Sequence, residues 1–432
     1  MKLSKYKILL LLVIANVPFV LAAIDYSIKF GSSSVEHATF ITANLLGLIG
    51  TTLLMFQFLL GFRFVSSRFT RDLVWSLKVH KIIGIYGVLL LFIHPLAQMF
   101  SYSADVFFLF GFDFSTNFAR QIGLGRLAFV FLLVIWMTSA VVRGKIKYRP
   151  WKYIHYLAYP ALALGLIHAK NIGTLITSYP LLETYWNGYV LLFFLFVLAR
   201  VMTYANYGRH RYKLSKKKLL VNNVYNILLT PAGVRLKPKP GQFVYLRFSK
   251  YGESHPFTVM RHDDKTGTLE FGIKIIGKFT KEVKNLKKGH VIYIDGPYGV
   301  FTQEGQSDDP KILIAGGVGI TPFVELIDKF SNKKTHLLYS NKKLKGAVYR
   351  NRWKKKLGNN YYDFVTGENA SGKSIFKGII NASKIQKILG KRIINSSKFF
   401  VCGSPDFTKS MLSELDKLGI EKEYIFFEEF GF

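Results

Sequence analysis

Apolar residues run in six long stretches through the first half of the chain, at about 7–24, 40–62, 79–100, 123–142, 153–170 and 187–206. Each is close to the ~20 residues needed to cross the hydrocarbon of a bilayer. The pattern predicts six transmembrane helices. The first stretch, after MKLSKYK, also has the layout of a secretory leader. It is read as a retained helix, because an even number of spans puts both ends of the chain on one side. From about residue 207 the texture changes to short alternating runs: KKLLVNNVYNILLTP, GQFVYLRF, HPFTVM, TLEFGIKIIG and GHVIYIDGP. Bounded by Gly, Pro and Asn, they predict strands of a small antiparallel β-barrel. After Asp309-Pro310, KILIAGGVGITPFVELIDKF reads as a buried strand, a Gly-rich turn and a helix. KKTHLLYSN and SKFFVCGSP read as further strands of an open α/β sheet. The expected domains are 1–206 (six-helix transmembrane bundle), 207–309 (β-barrel) and 310–432 (α/β).

The third and fifth stretches carry paired histidines. His80 and His94 are fourteen residues apart, and His155 and His168 thirteen. On helices these separations are ~21 Å and ~20 Å, so the four imidazoles fall at two matched depths. Pairing across helices gives two bis-imidazole sites stacked through the membrane. A lone intramembrane histidine often serves as polar glue between helices. Two pairs at nearly equal spacing point instead to function. Structural zinc needs four ligands close together, and these pairs lie too far apart along the axis. Haem with two axial histidines fits, one in each leaflet, and without a CxxCH motif it is not covalently attached. Thirteen residues rotate by about 220° on a straight helix, so a distortion at Pro160 is expected to re-aim His155 and His168.

Charge adds the orientation. The chain has 59 Lys and Arg against 26 Asp and Glu, a formal net charge of +33. The basic residues concentrate at Lys2, Lys5 and Lys7, at Arg63, Arg68, Arg71 and Lys78, at Arg143, Lys145, Lys147, Arg149 and Lys152, and from Arg200 to Lys218. The intervening loops hold only Lys29, Arg120 and Lys170. The positive-inside rule then places both termini in the cytoplasm of a plasma-membrane protein, with His80 and His155 near the cytoplasm and His94 and His168 near the outside. Basic surface of this kind meets anionic lipid; no nucleic-acid motif accompanies it. Cys402 is the single cysteine, so an intramolecular disulfide is excluded.

The second half carries candidate cofactor sites. His255-Pro256-Phe257-Thr258 follows a strand and offers ring faces and backbone donors to a flavin. Gly277-Lys278-Phe279-Thr280 opens a helix whose N-terminal amides, with Lys274 nearby, can hold a diphosphate. Gly316-Gly317-Val318-Gly319-Ile320-Thr321-Pro322 directly follows a strand, where glycines admit a pyrophosphate to the backbone. Cys402-Gly403 ends a later strand at the edge where such sheets bind ligands; Cys402 also suits a small buried hydrophobe. Ser340, Lys342 and Lys343 follow the strand THLLY, where basic groups accept a ribose 2′-phosphate. The closing FFEEFGF puts Phe430 and Phe432 where an aromatic ring could cover a flavin or pack in a core.

The order of these features, from paired HxxxxxxxxxxxxxH and HxxxxxxxxxxxxH through HPFT, GKFT, GGVGITP and CG to a terminal E-x-F, resembles the ferric reductase / NADPH oxidase superfamily in its compact bacterial form. The second half resembles the ferredoxin–NADP reductase module. The resemblance implies FAD at His255, Pro256, Phe257 and Thr258, with Lys274, Gly277, Phe279 and Thr280 toward its phosphates. It implies NADPH at Gly316, Gly317, Gly319, Thr321, Pro322, Cys402 and Gly403. Glu428 and Phe430 match the E-x-F ending, making Phe430, with Cys402, the expected catalytic group and Phe432 the second choice. It implies two b-type haems on His80, His94, His155 and His168. The implied activity is electron transfer from cytosolic NADPH through FAD and both haems to an outside acceptor, oxygen giving superoxide, with no obligatory protein partner. A ferric-chelate reductase is the alternative, and a haem-binding subunit serving a partner enzyme a second. The chain departs from the animal superoxide-producing members, which have an Arg in the second helix and a His one turn after the outer ligand. Span 40–62 has no Arg or Lys, and that turn holds Gln98.

A topology reporter fused after Phe432 is expected in the cytoplasm, and one in the loop at 105–113 outside. Finding both on one side would refute six spans.

Overall fold

The structure, a computed structural model, describes residues 5–31, 34–70 and 72–429. The chain divides into two compact units, Met1–Met202 and Thr203–Phe432.

In the first unit, five helices among the described residues are long and apolar enough to cross a membrane: Lys5–Phe30, Val35–Gly61, Leu73–Ser101, Asn117–Val141 and Pro180–Tyr204. Their outward faces are large and apolar, as at Leu191, Phe194 and Val201, which is what lipid tails require. The expected fifth span is instead two helices, Tyr148–His155 and Ala158–Ile172. The break falls at Tyr156–Leu157, four residues before Pro160. Proline has no amide hydrogen for the carbonyl four residues back, and its ring clashes with it. The Tyr156 carbonyl accepts from Tyr159 N–H instead, at 3.1 Å.

The Val35–Gly61 helix packs antiparallel on Leu73–Ser101 through small residues. A Cβ on Gly47 would meet the His94 ring at 3.0 Å, one on Gly50 would meet Leu91 at 2.6 Å, and one on Gly61 would meet the His80 ring at 2.8 Å. From the other helix, Gly87 faces Leu53 and Gly84 faces Gln57. The partners climb one helix as they descend the other. Missing side chains let the two backbones approach, the main source of helix association in lipid. Trp186, fully buried, donates from Nε1 to the Leu166 carbonyl at 3.0 Å and packs with Phe19 and Tyr189.

The second unit holds two sheets. The first has strands β1 (His210–Val221), β2 (Val224–Pro231), β3 (Phe243–Arg247), β4 (His255–Thr258), β5 (Arg261–His262), β6 (Leu269–Lys274) and β7 (Val291–Tyr298), antiparallel in the order β4-β3-β7-β1-β2-β6-β5. The expected antiparallel β-barrel is corrected here: the sheet is not closed. β4 and β5 are its edges, and they are successive pieces of one chain segment rather than a paired ladder. Between them the Val259 amide donates to Gln242 O and the Met260 amide to Glu270 O, at 2.9 and 2.8 Å, so the segment turns from one end of the sheet to the other.

The second sheet is parallel: β8 (Lys311–Gly316), β9 (Thr335–Asn341), β10 (Tyr361–Val365), β11 (Ile375–Lys377), β12 (Lys398–Gly403) and β13 (Ile425–Glu429), in the order β11-β10-β9-β8-β12-β13. The chain moves outward from β8 through β11, then returns to the other side of β8 as β12. That reversal is a topological switch point, where open α/β sheets bind ligands beyond the carboxyl ends of their strands. Ile312, Leu313, Ile314 and Ala315 of β8 are fully buried, the mark of a strand covered on both faces.

Candidate functional site

The transmembrane unit brings the four histidines together in two pairs. The rings of His80 and His155 have centroids 6.1 Å apart, and those of His94 and His168 6.4 Å apart. A metal–imidazole bond is about 2.0–2.1 Å, so two rings on opposite sides of one ion stand with centroids ~6 Å apart.

Each ring is oriented by its other nitrogen. Nδ1 of His80 donates to Gln57 O at 3.0 Å, Nδ1 of His94 to Ala43 O at 2.7 Å, and Nδ1 of His168 to Gln121 O at 2.9 Å. His155 Nδ1 lies 3.3 Å from Ser139 Oγ. Nε2 is then the nitrogen left for a metal, the arrangement that fixes tautomer and ring plane at imidazole sites. Among the described residues no three His, Cys, Asp or Glu gather as a metal cluster. Two imidazoles alone do not complete a protein-only site, but they are a full axial set for a metal that brings its own equatorial nitrogens, as haem does. The residues fit that group.

Sequence reading missed the glycines behind the histidines. The carbonyls that receive His94, His80 and His168 belong to Ala43, Gln57 and Gln121, and four residues after each stands Gly47, Gly61 or Gly125. A Cβ on Gly125 would lie 2.6 Å from His168 Nδ1. A glycine there lets the ring lie on the helix backbone and reach the carbonyl one turn earlier. A signal was present: Gly47 and Gly61 are fourteen residues apart, the spacing of His80 and His94.

In the second unit the Gly-rich turn lies at the switch point. Ser340 of β9 is in register with Gly316, and Cys402 of β12 with Ala315. The glycines divide their work. Gly317 is left-handed (φ +55°) with open space at its Cβ position, so a pyrophosphate could approach it. A Cβ on Gly319 would collide with the Cys402 carbonyl, and Cβ atoms on Gly316 and Gly403 would meet Phe407. Phe407, in the first turn of Pro405–Lys417, is a site residue that sequence reading missed. Tyr339, fully buried, donates to Gly317 O at 2.9 Å and accepts from Val348 N–H at 3.1 Å, which holds the turn. Thr321 and Pro322 begin the helix Thr321–Phe330 and are buried; the Thr321 methyl faces Gly272 of β6. The Cys402 thiol is fully buried, and burial, reinforced by the Glu428 charge, pushes its pKa well up. It stays protonated.

His255 to Thr258 form edge strand β4, paired with β3 from His255↔Leu246 to Thr258↔Phe243. The His255 ring lies 4.1 Å from that of Phe279, which stacks on Phe248 at 4.4 Å and Phe257 at 5.9 Å. Burial lowers the His255 pKa, against the opposing pull of Glu253. Lys274 ends β6. Gly277 caps a short helix, and the Thr280 hydroxyl accepts from the amides of Ile276 and Gly277 at 2.9 and 3.0 Å. Lys342 and Lys343 are exposed beyond β9. The structure adds Glu368 to that loop: its Oε1 accepts from Leu344 N–H at 2.7 Å. Phe430 and Phe432 lie outside the described residues.

Residues 46–166 match the ferric reductase like transmembrane component, 211–303 the oxidoreductase FAD-binding domain, and 313–412 the oxidoreductase NAD-binding domain. The chain is 35% identical to an uncharacterized protein in the adh 3′ region of Clostridium beijerinckii, over 26% of this chain and 40% of that one. It is 26% identical to the reductase component of propane 2-monooxygenase from Rhodococcus jostii, over 46% and 57%. It is also 26% identical to dual oxidase 2 of Rattus norvegicus, over 47% and 14%. The chain thus spans 57% or less of the length of each of these relatives.

On the reading that the His94–His168 pair holds a haem, Gly125→Val is expected to displace His168 and lower haem content, since disturbing a ligand's support weakens metal binding ~10–100-fold. Gly165→Ala, at a glycine with no neighbour within 4 Å of its Cβ position, should leave haem content unchanged. Haem absorbance per mole of purified chain measures both.

Proposed function

We propose that this chain, an NADPH oxidase-like superfamily member in which a ferric reductase-like transmembrane component precedes FAD- and NAD-binding oxidoreductase domains, carries electrons from cytosolic NADPH across the plasma membrane. The observation that carries this reading is the two bis-imidazole pairs, each with Nδ1 engaged and Nε2 left for metal. Bound FAD and two b-type haems would supply hydride uptake, its division into single electrons and their passage through the bilayer.

The chain's own residues bind, orient and insulate. His80 and His155 would hold one haem, and His94 and His168 the other. The apolar helices keep water from both. His255, Pro256, Phe257 and Thr258 would present the flavin edge strand, with Lys274, Gly277, Phe279 and Thr280 on the diphosphate side. Gly317 offers the open backbone to the nucleotide pyrophosphate, with Gly316, Gly319, Thr321 and Pro322 shaping the turn around it. Cys402, with its buried thiol protonated, and Gly403 would border that turn on the nucleotide side, with Cys402 and Phe430 the residues expected at the reacting groups. Phe430 is the first choice to cover the flavin and Phe432 the second. The working division is 1–206, 207–309 and 310–432, with six spans and both termini cytoplasmic. The His80–His155 pair is then on the cytoplasmic side and the His94–His168 pair on the outer side.

The acceptor we favour is oxygen, giving superoxide. Ferric chelate is the second reading, favoured by the lack of Arg or Lys in span 40–62 and by Gln98. Purified chain with FAD, haem and NADPH should reduce cytochrome c in a superoxide dismutase-sensitive way; dismutase-insensitive reduction of ferric chelate would instead make it a ferric reductase. NADPH oxidation by the chain alone also excludes a subunit serving a partner enzyme. His94→Ala should take acceptor reduction to background while FAD reduction by NADPH survives; loss of both would sink the relay.

Nucleotide choice gives a further test. Ser340, Lys342 and Lys343 can meet a 2′-phosphate, and Glu368 opposes it. One charge-assisted contact contributes ~1.5–3 kcal/mol, and with Glu368 nearby NADPH is expected to lead NADH by roughly tenfold in kcat/KM. Ser340→Ala with Lys342→Ala and Lys343→Ala should abolish the preference, and Glu368→Gln should raise it.

A further inference from the structure

The four imidazoles are not held alike. His80, His94 and His168 donate from Nδ1 to the main-chain carbonyls of Gln57, Ala43 and Gln121. A carbonyl oxygen only accepts, so each of these rings keeps its proton on Nδ1 and a bare Nε2. His155 has a side-chain partner instead, Ser139 Oγ at 3.3 Å. A hydroxyl can give or take the bond, so this contact alone does not decide the tautomer.

Ser139 is itself engaged. Trp151 Nε1 donates to Ser139 Oγ at 3.1 Å, and an indole N–H can only donate. That leaves Oγ one lone pair and its own O–H for His155; with Nε2 given to the metal on the haem reading, Nδ1 carries the ring proton and the remaining lone pair accepts it. The Trp151 ring also stacks on the His155 imidazole, with centroids 5.0 Å and planes 26° apart. The Arg143 guanidinium lies 4.4 Å from the Trp151 ring centroid and donates to Ile146 O at 3.0 Å. Ser139 falls within the π-helical turn Met137–Val141, an irregularity that recurs at functional sites because it re-aims side chains.

We propose that Ser139 and Trp151 are positioning residues for His155, setting the tautomer, ring plane and donor strength of one axial ligand in the His80–His155 site alone. The inference rests on the haem reading above. A ligand imidazole becomes more basic as its Nδ1–H is drawn to a stronger acceptor, and second-shell hydrogen bonding of this kind shifts the metal's potential. Ser139 Oγ already accepts from an indole and stands 3.3 Å away, against 2.7–3.0 Å for the three carbonyls. It draws the proton less. The His80–His155 pair is therefore asymmetric, with one strongly and one weakly polarised ring. Its potential can be changed through a side chain, whereas the other three ligands answer to main chain.

The test uses the purified, haem-loaded full chain without nucleotide or acceptor. Its readouts are the two midpoint potentials by spectroelectrochemistry and the low-spin electron paramagnetic resonance signals. Ser139→Ala removes the acceptor and makes His155 less basic, which favours the ferrous form. One midpoint should rise by about a tenfold change in the ferric-to-ferrous equilibrium, ~59 mV for one electron. The corresponding low-spin signal should shift, and the other site should stay as it was. Ser139→Thr keeps the hydroxyl and should restore both values. Should Ser139→Ala lose that one haem, recovery of occupancy in Ser139→Thr supports the same role, and failure to recover overturns it. Two unmoved midpoints, or two that move together, also overturn it while the haem reading stands. A wild type without bis-imidazole haem overturns the parent reading, and is seen before any variant is made.

Discussion

An imidazole surrounded by hydrocarbon must find a partner for each nitrogen, because water cannot supply one. The transmembrane unit is arranged around that constraint. A helix carbonyl already accepts an amide from four residues on, and it takes a second donor only if the ring can come down onto the backbone. Gly47, Gly61 and Gly125 make that descent possible. Two of them lie on Val35–Gly61 at the spacing of His80 and His94, so one antiparallel helix contact sets both rings at once. Packing and chemistry share residues: the glycines that let two backbones approach also orient the ligands.

The opposite side of each pair is built less uniformly. His155 and His168 sit on either side of the break at Tyr156–Leu157, so their relation is not that of one straight helix. His168 repeats the carbonyl-and-glycine arrangement on Asn117–Val141. His155 faces the π turn of the same segment and takes a hydroxyl. The departures from α-helix that relate thirteen-residue spacing to fourteen lie between the ligands: a π turn at Ile83–Gly87 between His80 and His94, and the break before Pro160 between His155 and His168.

The second unit uses glycine differently. In the turn after β8 only Gly317 is left-handed and open, while Gly316, Gly319 and Gly403 make room for Phe407 and for the Cys402 backbone. A motif that reads as one phosphate cradle is, in three dimensions, one open position supported by close packing. Tyr339 holds the open position from beneath, and Thr321 carries the turn against Gly272 of the first sheet.

Features set by local chemistry were legible in the sequence. Apolar runs report burial or lipid directly, so the long helices were readable, and alternation with Gly, Pro and Asn punctuation marked the strands. Paired histidine spacing was readable because helical rise converts separation into depth. Contacts between segments distant in the chain were not. Whether the antiparallel sheet closes depends on how Val259 and Met260 turn, and Glu368 reaches the β9 loop only because β10 lies beside β9. Phe407 joins the glycines only because β12 returns next to β8. Which group each Nδ1 meets was equally hidden, since a carbonyl is present at every residue and only helix packing selects one. The sequence by itself determined five of the long apolar helices, the runs that became β1 to β4, β6 to β9 and β12, and which histidines pair; tertiary structure decided the partners of their Nδ1 atoms, because periodicity records a residue's own environment and not the identity of its neighbour.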